Sequence, residues 1–508
     1  MPYHVGIDIG TTGARALIVD ENGNVVGSAT SDYPMYTPRP LWAEQDPEDW
    51  WQAVIQAMRS ALGQAQINPS AIAAIGLTGQ MHGMVLLDAQ GKVVRPCIMW
   101  NDQRTADECA WIMQTIVVER FMEITLNPAL PGFTAPKIIW LRTHEPEHYA
   151  RAKVLLLPKD YIRYRLTGVY ATEVSDASGT VLLDVTKRHW SREILDKLGI
   201  PESWMPTCVE SPCITGQVTR LAAELTGLPP DIPVVGGGGD QAASAVGTGI
   251  VEPGLVSVTL GTSGVVFAYS DQPARDPQGR LHTFCHAVPG KWHMMGVALS
   301  SGGSLRWLRD TIGQPEKIVA NLTQVDPYEI LTAEAASAPA GCEGLLFTPY
   351  LTGERSPYPD PSARGAFFGL TLRHDKRHLV RAVLEGVAYS LRDSLELFRE
   401  LGIPIREVRA GGGGARSLVW RQILADVFGV ELTTVNVADS TAFGAALLAG
   451  VGCGTYRSVA EACAATIKIV DHTPPIPANQ AVYNSYYPVY HSLYHTLKPA
   501  YDQLAAIV

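Results

Sequence analysis

Apolar positions in this chain come in short blocks that end on glycine, and the same block order occurs twice. Val5-Gly6-Ile7 runs into Asp8-Ile9-Gly10-Thr11-Thr12-Gly13, and Ala14 to Val19 leads away from that turn. Glu21-Asn22-Gly23-Asn24 then carries an Asn-Gly turn signal before Val25-Val26 resumes, so residues 4–30 are predicted to form a β-hairpin. About 250 residues later Val256 to Thr259 runs into Leu260-Gly261-Thr262-Ser263-Gly264, and a matching hairpin is predicted over 256–269. After the first hairpin, Asp46 and Pro47 open a helix whose Trp50, Val54, Ala57 and Ala61 share one face. Ala73 to Leu77 is a short buried strand delivering Thr78-Gly79-Gln80-Met81-His82-Gly83 at its end, where ligands sit in α/β sheets. In the second half, Leu379, Val383, Val387, Leu391 and Leu395 mark a long helix over about 378–400. Val408 to Ser417 then reads as a strand, a glycine turn and a helix start. Two α/β halves that each open with a hairpin imply duplication, with a ligand cleft between them. The boundary is expected near 245–250, dividing the chain into 1–246 and 247–508.

Composition agrees with that division. A chain of 508 residues exceeds what one core usually supports, and 46% hydrophobic with 18% charged residues fits well-packed domains. A formal charge of −10 argues against nucleic acid or an anionic membrane as main partner. No apolar stretch approaches the roughly 20 residues that span a bilayer. The eight cysteines show no C-x-x-C spacing, and the chain opens almost at once with a core strand, so no signal peptide is expected. The expectation is a reduced, cytoplasmic, soluble protein. Pairing into a homodimer stays open, and the tyrosine-rich tail from Tyr483 to Tyr501 reads as a terminal packing helix.

The chemistry lies in the turns. Glycines let backbone N–H groups approach an anion closely, and the hydroxyls of Thr11, Thr12, Thr262 and Ser263 add donors without bulk. Two such turns, facing each other, would clamp a polyphosphate. Asp8 beside the first turn reads either as a local cap or as an acid holding Mg²⁺, mostly through water. Asp240 follows four consecutive glycines, a run that suits backbone passing close to a ligand; it is the candidate acceptor of a hydroxyl proton and a second acid near the metal. Gly411, Gly412, Gly413 and Gly414 offer either a flat surface for adenine and ribose or tight strand–helix packing. No Gly-Lys-Ser/Thr follows them, and no H-R-D or D-F-G string occurs, which excludes P-loop and protein-kinase classes. Gln80, Met81 and His82 at one strand end, with Trp100-Asn101-Asp102-Gln103-Arg104 after another, mix amides, acids and an indole in the way sugar sites do. Trp100, Asp102 and Gln241 complete the candidate sugar contacts.

Two longer strings carry a resemblance. Gly132 to Leu141 (GFTAPKIIWL) and Gly365 to Leu370, running on to His378-Leu379 and Ala382 to Glu385, resemble the two signatures of the FGGY carbohydrate kinases, a family of the actin-like ATPase superfamily. The resemblance covers nearly the whole chain. It implies two ribonuclease H-like domains around a cleft, ATP and Mg²⁺ as cofactors, Asp240 as proton acceptor, Asp8 near the metal, and Met81 and His82 against the sugar. Gly79–Gly83, Trp100–Arg104 and Tyr350–Pro357 look most like the members that turn ATP and D-xylulose into ADP and D-xylulose 5-phosphate. Gluconate-specific members share Met-His, and Gln241 stands where many of the xylulose-specific members have Asn.

Overall fold

The computed structural model describes residues 2–507. In the first half, β1 (Tyr3–Ile9), β2 (Gly13–Asp20), β3 (Val25–Asp32), β4 (Ile72–Gly79), β5 (Ile214–Gln217), β6 (Pro233–Val235) and β7 (Gly238–Gly239) make one sheet. Its order is β3-β2-β1-β4-β6-β5, antiparallel across β3-β2-β1, parallel across β1-β4-β6 and antiparallel at β6-β5, with β7 also beside β4. The second sheet holds β8 (Gly254–Leu260), β9 (Gly264–Ser270), β10 (His282–Cys285), β11 (Trp292–Ala298), β12 (Ile405–Gly411), β13 (Leu432–Val435) and β14 (Ile469–Thr473). Across β11-β9-β8-β12-β13-β14 it repeats the same succession of antiparallel and parallel pairs. That repetition carries the duplication implied by the two hairpins.

The helices follow from local chemistry. In α1 (Pro47–Ala65), Asp46 accepts from the Glu48 N–H at 2.9 Å, and Pro47 fills a first-turn position that needs no donor. Its Trp50, Val54, Ala57 and Ala61 are buried against β2 and β3, each large side chain contributing about 1.5–3 kcal/mol by leaving water. The chain then runs through α2 (Thr134–His144) and α3 (Asp240–Thr248), and residues 245–250 fall at the end of α3. Helix α4 (Lys376–Glu400) buries Val383, Val387, Leu391 and Leu395 in the core of the second half, with Leu379 only partly covered. After α5 (Leu418–Phe428), α6 (Ser440–Gly452) crosses to the first half and lies on β1, β4 and α3. Glycine makes that crossing possible. A Cβ on Gly6 would stand 1.8 Å from the Ala442 carbonyl oxygen, and one on Gly444 would stand 1.9 Å from that of Ala243. The tail is α7 (Pro477–Ala505), a packing helix whose buried Tyr483 donates to Glu385 at 2.7 Å. All eight cysteines are free thiols, and among the described residues no helix is long and apolar enough to cross a membrane.

Candidate active site

Each candidate phosphate turn is closed by a backbone bond from its first glycine. Gly10 N–H donates to Gly13 O at 3.0 Å, and Gly261 N–H donates to Ser263 O at 3.0 Å. The first turn is braced from outside: Tyr33 N–H donates to Thr12 O, the Tyr33 hydroxyl to Gly10 O, and Gln45 Nε2 to Thr11 O at 2.8 Å. The second is braced by the chain at 301–303, whose N–H groups reach Thr262 O and Gly261 O at 2.8–3.0 Å. Thr262 and Gly261 line a cleft of ≈ 460 Å³ together with Tyr328, Gly413, Gly414, Arg416, Ser417 and Trp420. Of the four glycines expected at the nucleoside, Gly413 and Gly414 face this cleft. Gly412 takes φ +80°, and a Cβ there would lie 2.7 Å from Leu260 O, so it serves strand–turn packing; Gly411 ends β12. Tyr328 was not legible, since nothing in its local sequence marks it.

Asp439 and Asp240 both lie close enough to Asp8 for their charges to act on it. Asp8 stands in β1 opposite Arg15 and Thr78, and its Oδ1 has no hydrogen-bond partner. Desolvation first, then the charges of Asp439 and Asp240, push its pKa up to about 8, against a smaller pull from Arg15. Asp439 caps α6 and pairs with Arg15. Asp240 is the first residue of α3, and burial raises its pKa to about 6 while bonds from the Gln241 backbone and side chain lower it. The glycines before it are needed: a Cβ on Gly237, at φ +75°, would meet Leu77 O at 1.8 Å. Gly239 N–H donates to Ser175 Oγ at 3.0 Å, which holds the turn in place. Among the described residues no cluster of three His, Cys, Asp or Glu side chains forms a ready metal cage. A hard cation held by one or two carboxylates, water and nucleotide phosphates fits the orphaned Asp8 oxygen and the repulsion that Asp439 and Asp240 exert on it.

The expected sugar contacts divide. Gln80 spends its amide N–H on Gln45 Oε1 at 3.0 Å and leaves Oε1 without a partner. Met81 packs under Gly239, and His82 turns beside it in the left-handed region at φ +68°. That strained turn is pinned at one atom: His82 O accepts from Lys137 Nζ at 2.8 Å and from Thr134 Oγ1 at 3.1 Å. The imidazole contacts Gly179 O through Nδ1 at 2.9 Å and lies against Phe133 and Phe284. Burial, then the charge of Lys137, hold its pKa down near 3, so it is neutral. Lys137 Nζ also reaches Gly132 O at 2.8 Å, and burial brings its pKa down to about 7. Trp100 is 38% exposed, with Nε1 donating to Thr11 Oγ1 at 3.1 Å, so the indole bridges the expected sugar side and the first turn. Asp102 corrects the sequence expectation. It is fully buried, and its oxygens accept from Ala43 N–H at 2.7 Å, Arg104 N–H and Nε at 2.9 Å, and Arg104 Nη2 at 2.7 Å. It clamps the loop that presents Trp100 and has no face left for a sugar. Gln241 stays beside Asp240 at the start of α3.

With this geometry described, comparison with known proteins is specific. Residues 3–247 match the model of the FGGY family of carbohydrate kinases, N-terminal domain, and residues 256–453 match its C-terminal domain. The chain is 44% identical to a xylulose kinase of Escherichia coli (strain K12), over 90% of this chain and 92% of the relative. It is 34% identical to a gluconokinase of Bacillus subtilis (strain 168), over 99% and 98%. The crystal structure of a xylulose kinase from Rhodospirillum rubrum superposes with a TM-score of 0.89 at 33% identity, covering 98% of this chain and all of that one.

Proposed function

Because the chain belongs to the FGGY family of carbohydrate kinases and is an ATP-dependent sugar kinase, we propose that it phosphorylates D-xylulose, giving ADP and D-xylulose 5-phosphate. The observation that carries the choice of sugar is the 44% identity with a xylulose kinase over nine-tenths of the chain. The neutral, aromatic-backed His82 and the free acceptor of Gln80 support a site for sugar hydroxyls.

The first half, 1–246, holds the sugar and the first phosphate turn; the second, 247–508, holds the second turn and the adenosine. The N–H groups and hydroxyls of Thr11 and Thr12 approach the triphosphate from one side, and those of Thr262 and Ser263 from the other, with Gly261 leaving room for the close approach. The base and ribose lie against Gly413, Gly414 and Tyr328. Asp240 accepts a hydrogen bond from the attacking sugar hydroxyl, aligns it, and takes its proton late, because phosphoryl transfer is largely dissociative. Its raised pKa suits that duty: it is mostly ionised at neutral pH yet basic enough to receive the proton. Asp8, with Asp240 beside it, would hold Mg²⁺, which supplies charge neutralisation at the phosphates when bound. Met81 and His82 form one wall of the sugar pocket, and Trp100 and Gln241 supply further contacts. ATP as donor and eight free thiols support a cytoplasmic place of action.

A coupled ADP-release screen over pentuloses, pentitols, aldonates and glycerol tests the reading. D-xylulose is expected to give the highest kcat/KM. Preference for gluconate would transfer the assignment to the sugar-acid members, and acceleration by no sugar or polyol would refute it.

A further inference from the structure

We infer that Arg355, from the second half of the chain, is a substrate-binding residue that reaches across the cleft to the end of the sugar remote from the phosphorylated hydroxyl. The inference rests on the kinase reading above and deepens it. The backbone around Arg355 is fixed: Glu354 Oε1 accepts from Arg355 N–H at 2.8 Å and from Leu299 N–H at 2.9 Å. Ser356 N–H donates to Val297 O at 3.0 Å, and its hydroxyl to Arg280 O at 2.8 Å. The side chain leaves this stapled loop toward the opposite half, where Nη2 comes within 3.9 Å of the position a Cβ on Gly132 would take. Its charge also acts on His82 and His282. Gly132 packs on the Trp100 carbonyl and is tied by Lys137 to the His82 turn, so the guanidinium faces the wall built from Trp100, Gly132 and His82.

Arg355 combines this position with the lack of an ion-pair partner. Arg280, whose carbonyl accepts from the Ser356 hydroxyl, is paired with Asp276 at 2.8 Å. Among the described residues no carboxylate pairs with Arg355, and burial is the one cause that moves its pKa, down to about 10. The side chain is half-buried at the cleft wall, and a ligand that supplies acceptors there would take the place of water on its guanidinium and make charge-assisted bonds. Asp240 stands at the start of α3, whereas Arg355 faces Gly132, which packs on the Trp100 carbonyl, so the two side chains address different parts of the site. A ligand that touches both Asp240 and Arg355 is therefore an extended, several-carbon acceptor. The planar fork of donors suits a carbonyl or carboxylate oxygen better than a single hydroxyl. The ligand class is an acyclic ketose or aldonate, with the keto or acid end at Arg355.

Arg355→Gln and Arg355→Lys in the full chain test this, using whichever acceptor the wild-type protein phosphorylates best. Loss of a charge-assisted hydrogen bond is expected to raise the KM of that acceptor about 10–100-fold in Arg355→Gln, with partial recovery in Arg355→Lys. The KM for ATP and the sugar-independent ATP hydrolysis are expected to stay within about twofold, and the matching pentitol, which lacks the carbonyl, to lose less as a competitive inhibitor. An unchanged acceptor KM would overturn the inference. So would a fall in kcat or ATP affinity with the acceptor KM intact, which would place Arg355 on phosphate, or equal losses for ketose and pentitol, which would make it packing. If Arg355→Gln does not fold, the same comparisons on Arg355→Lys decide. A wild-type chain that phosphorylates no sugar would remove the parent reading itself, a result separate from these.

Discussion

Replacing Gly444 with Ala sets two opposed effects against each other at the junction between the halves. Within a helix, Gly→Ala contributes about 1 kcal/mol of helical stability. At Gly444, however, the added Cβ would stand 1.9 Å from Ala243 O and 2.8 Å from Gly247 N, where ordinary contact begins at 3.4 Å. Helices α3 and α6 must then part by about 1.5 Å, an overpacking strain of about 1–3 kcal/mol. The contact atoms are backbone, so no rotamer change relieves it. The net expectation is a loss of up to about 2 kcal/mol. The larger effect falls on rate. Ala243 lies three residues beyond Asp240 on the same short helix, so the displacement carries the carboxylate with it, and a misplacement of about 1 Å can cost about 10²-fold. Turnover at saturating ATP and sugar, measured by coupled ADP release, with Tm by calorimetry, reads both effects. Gly63→Ala is the control: it lies in α1 with nothing within 4 Å of its Cβ, so it should gain about 1 kcal/mol and keep kcat. A Gly444→Ala protein with wild-type turnover and a raised Tm would refute the reasoning, because the junction would then have slack.

Asp240→Ala should lose about 10²–10⁴ in kcat while ATP still binds, as read by nucleotide titration; near-normal sugar phosphorylation would contradict the assigned role. Lys137→Met removes the amine that pins His82 O, so the left-handed turn should relax; a sugar KM raised about 10-fold with ATP KM unchanged is expected from steady-state kinetics, reflecting strain of about 1–3 kcal/mol. Glu354 has its pKa pushed up to about 8, first by burial and partly offset by backbone N–H bonds. The sign follows from linkage: the folded state holds this proton more tightly than the unfolded, so the contribution is complete below about pH 4.5 and is lost as pH rises through about 8. Urea unfolding of Glu354→Gln should therefore gain on wild type by up to about 1.4 kcal/mol per pH unit across that window, and parallel pH curves would count against it.

Much of the architecture could be read along the chain because its causes are local. Asp46-Pro47 starts α1 through one side-chain bond and one missing donor, and the i, i+4 apolar series from Val383 to Leu395 has a single amphipathic solution in α4. The two hairpins were visible because each carries its own glycine turn. What the chain hid depends on contacts distant in sequence. Asp439 lies 431 positions after Asp8 and shares its charge environment only because α6 crosses onto the first sheet. Asp102 resembled a sugar ligand, since spacing does not reveal that Ala43 N–H and the Arg104 fork consume both oxygens. Trp100 was legible as an indole near a polar cluster, but its bond to Thr11 required the fold. Lys137 stood inside a recognisable string, yet its task at His82 O is a matter of geometry alone.

The most direct measurement is a crystal structure of the protein with a non-hydrolysable ATP analogue, Mg²⁺ and D-xylulose. The terminal phosphorus should lie between the turns at 10–13 and 261–264, with the acceptor hydroxyl within about 2.6–3.2 Å of an Asp240 oxygen. Turns that point away from one nucleotide, or an Asp240 carboxylate out of reach of the sugar, would contradict the account.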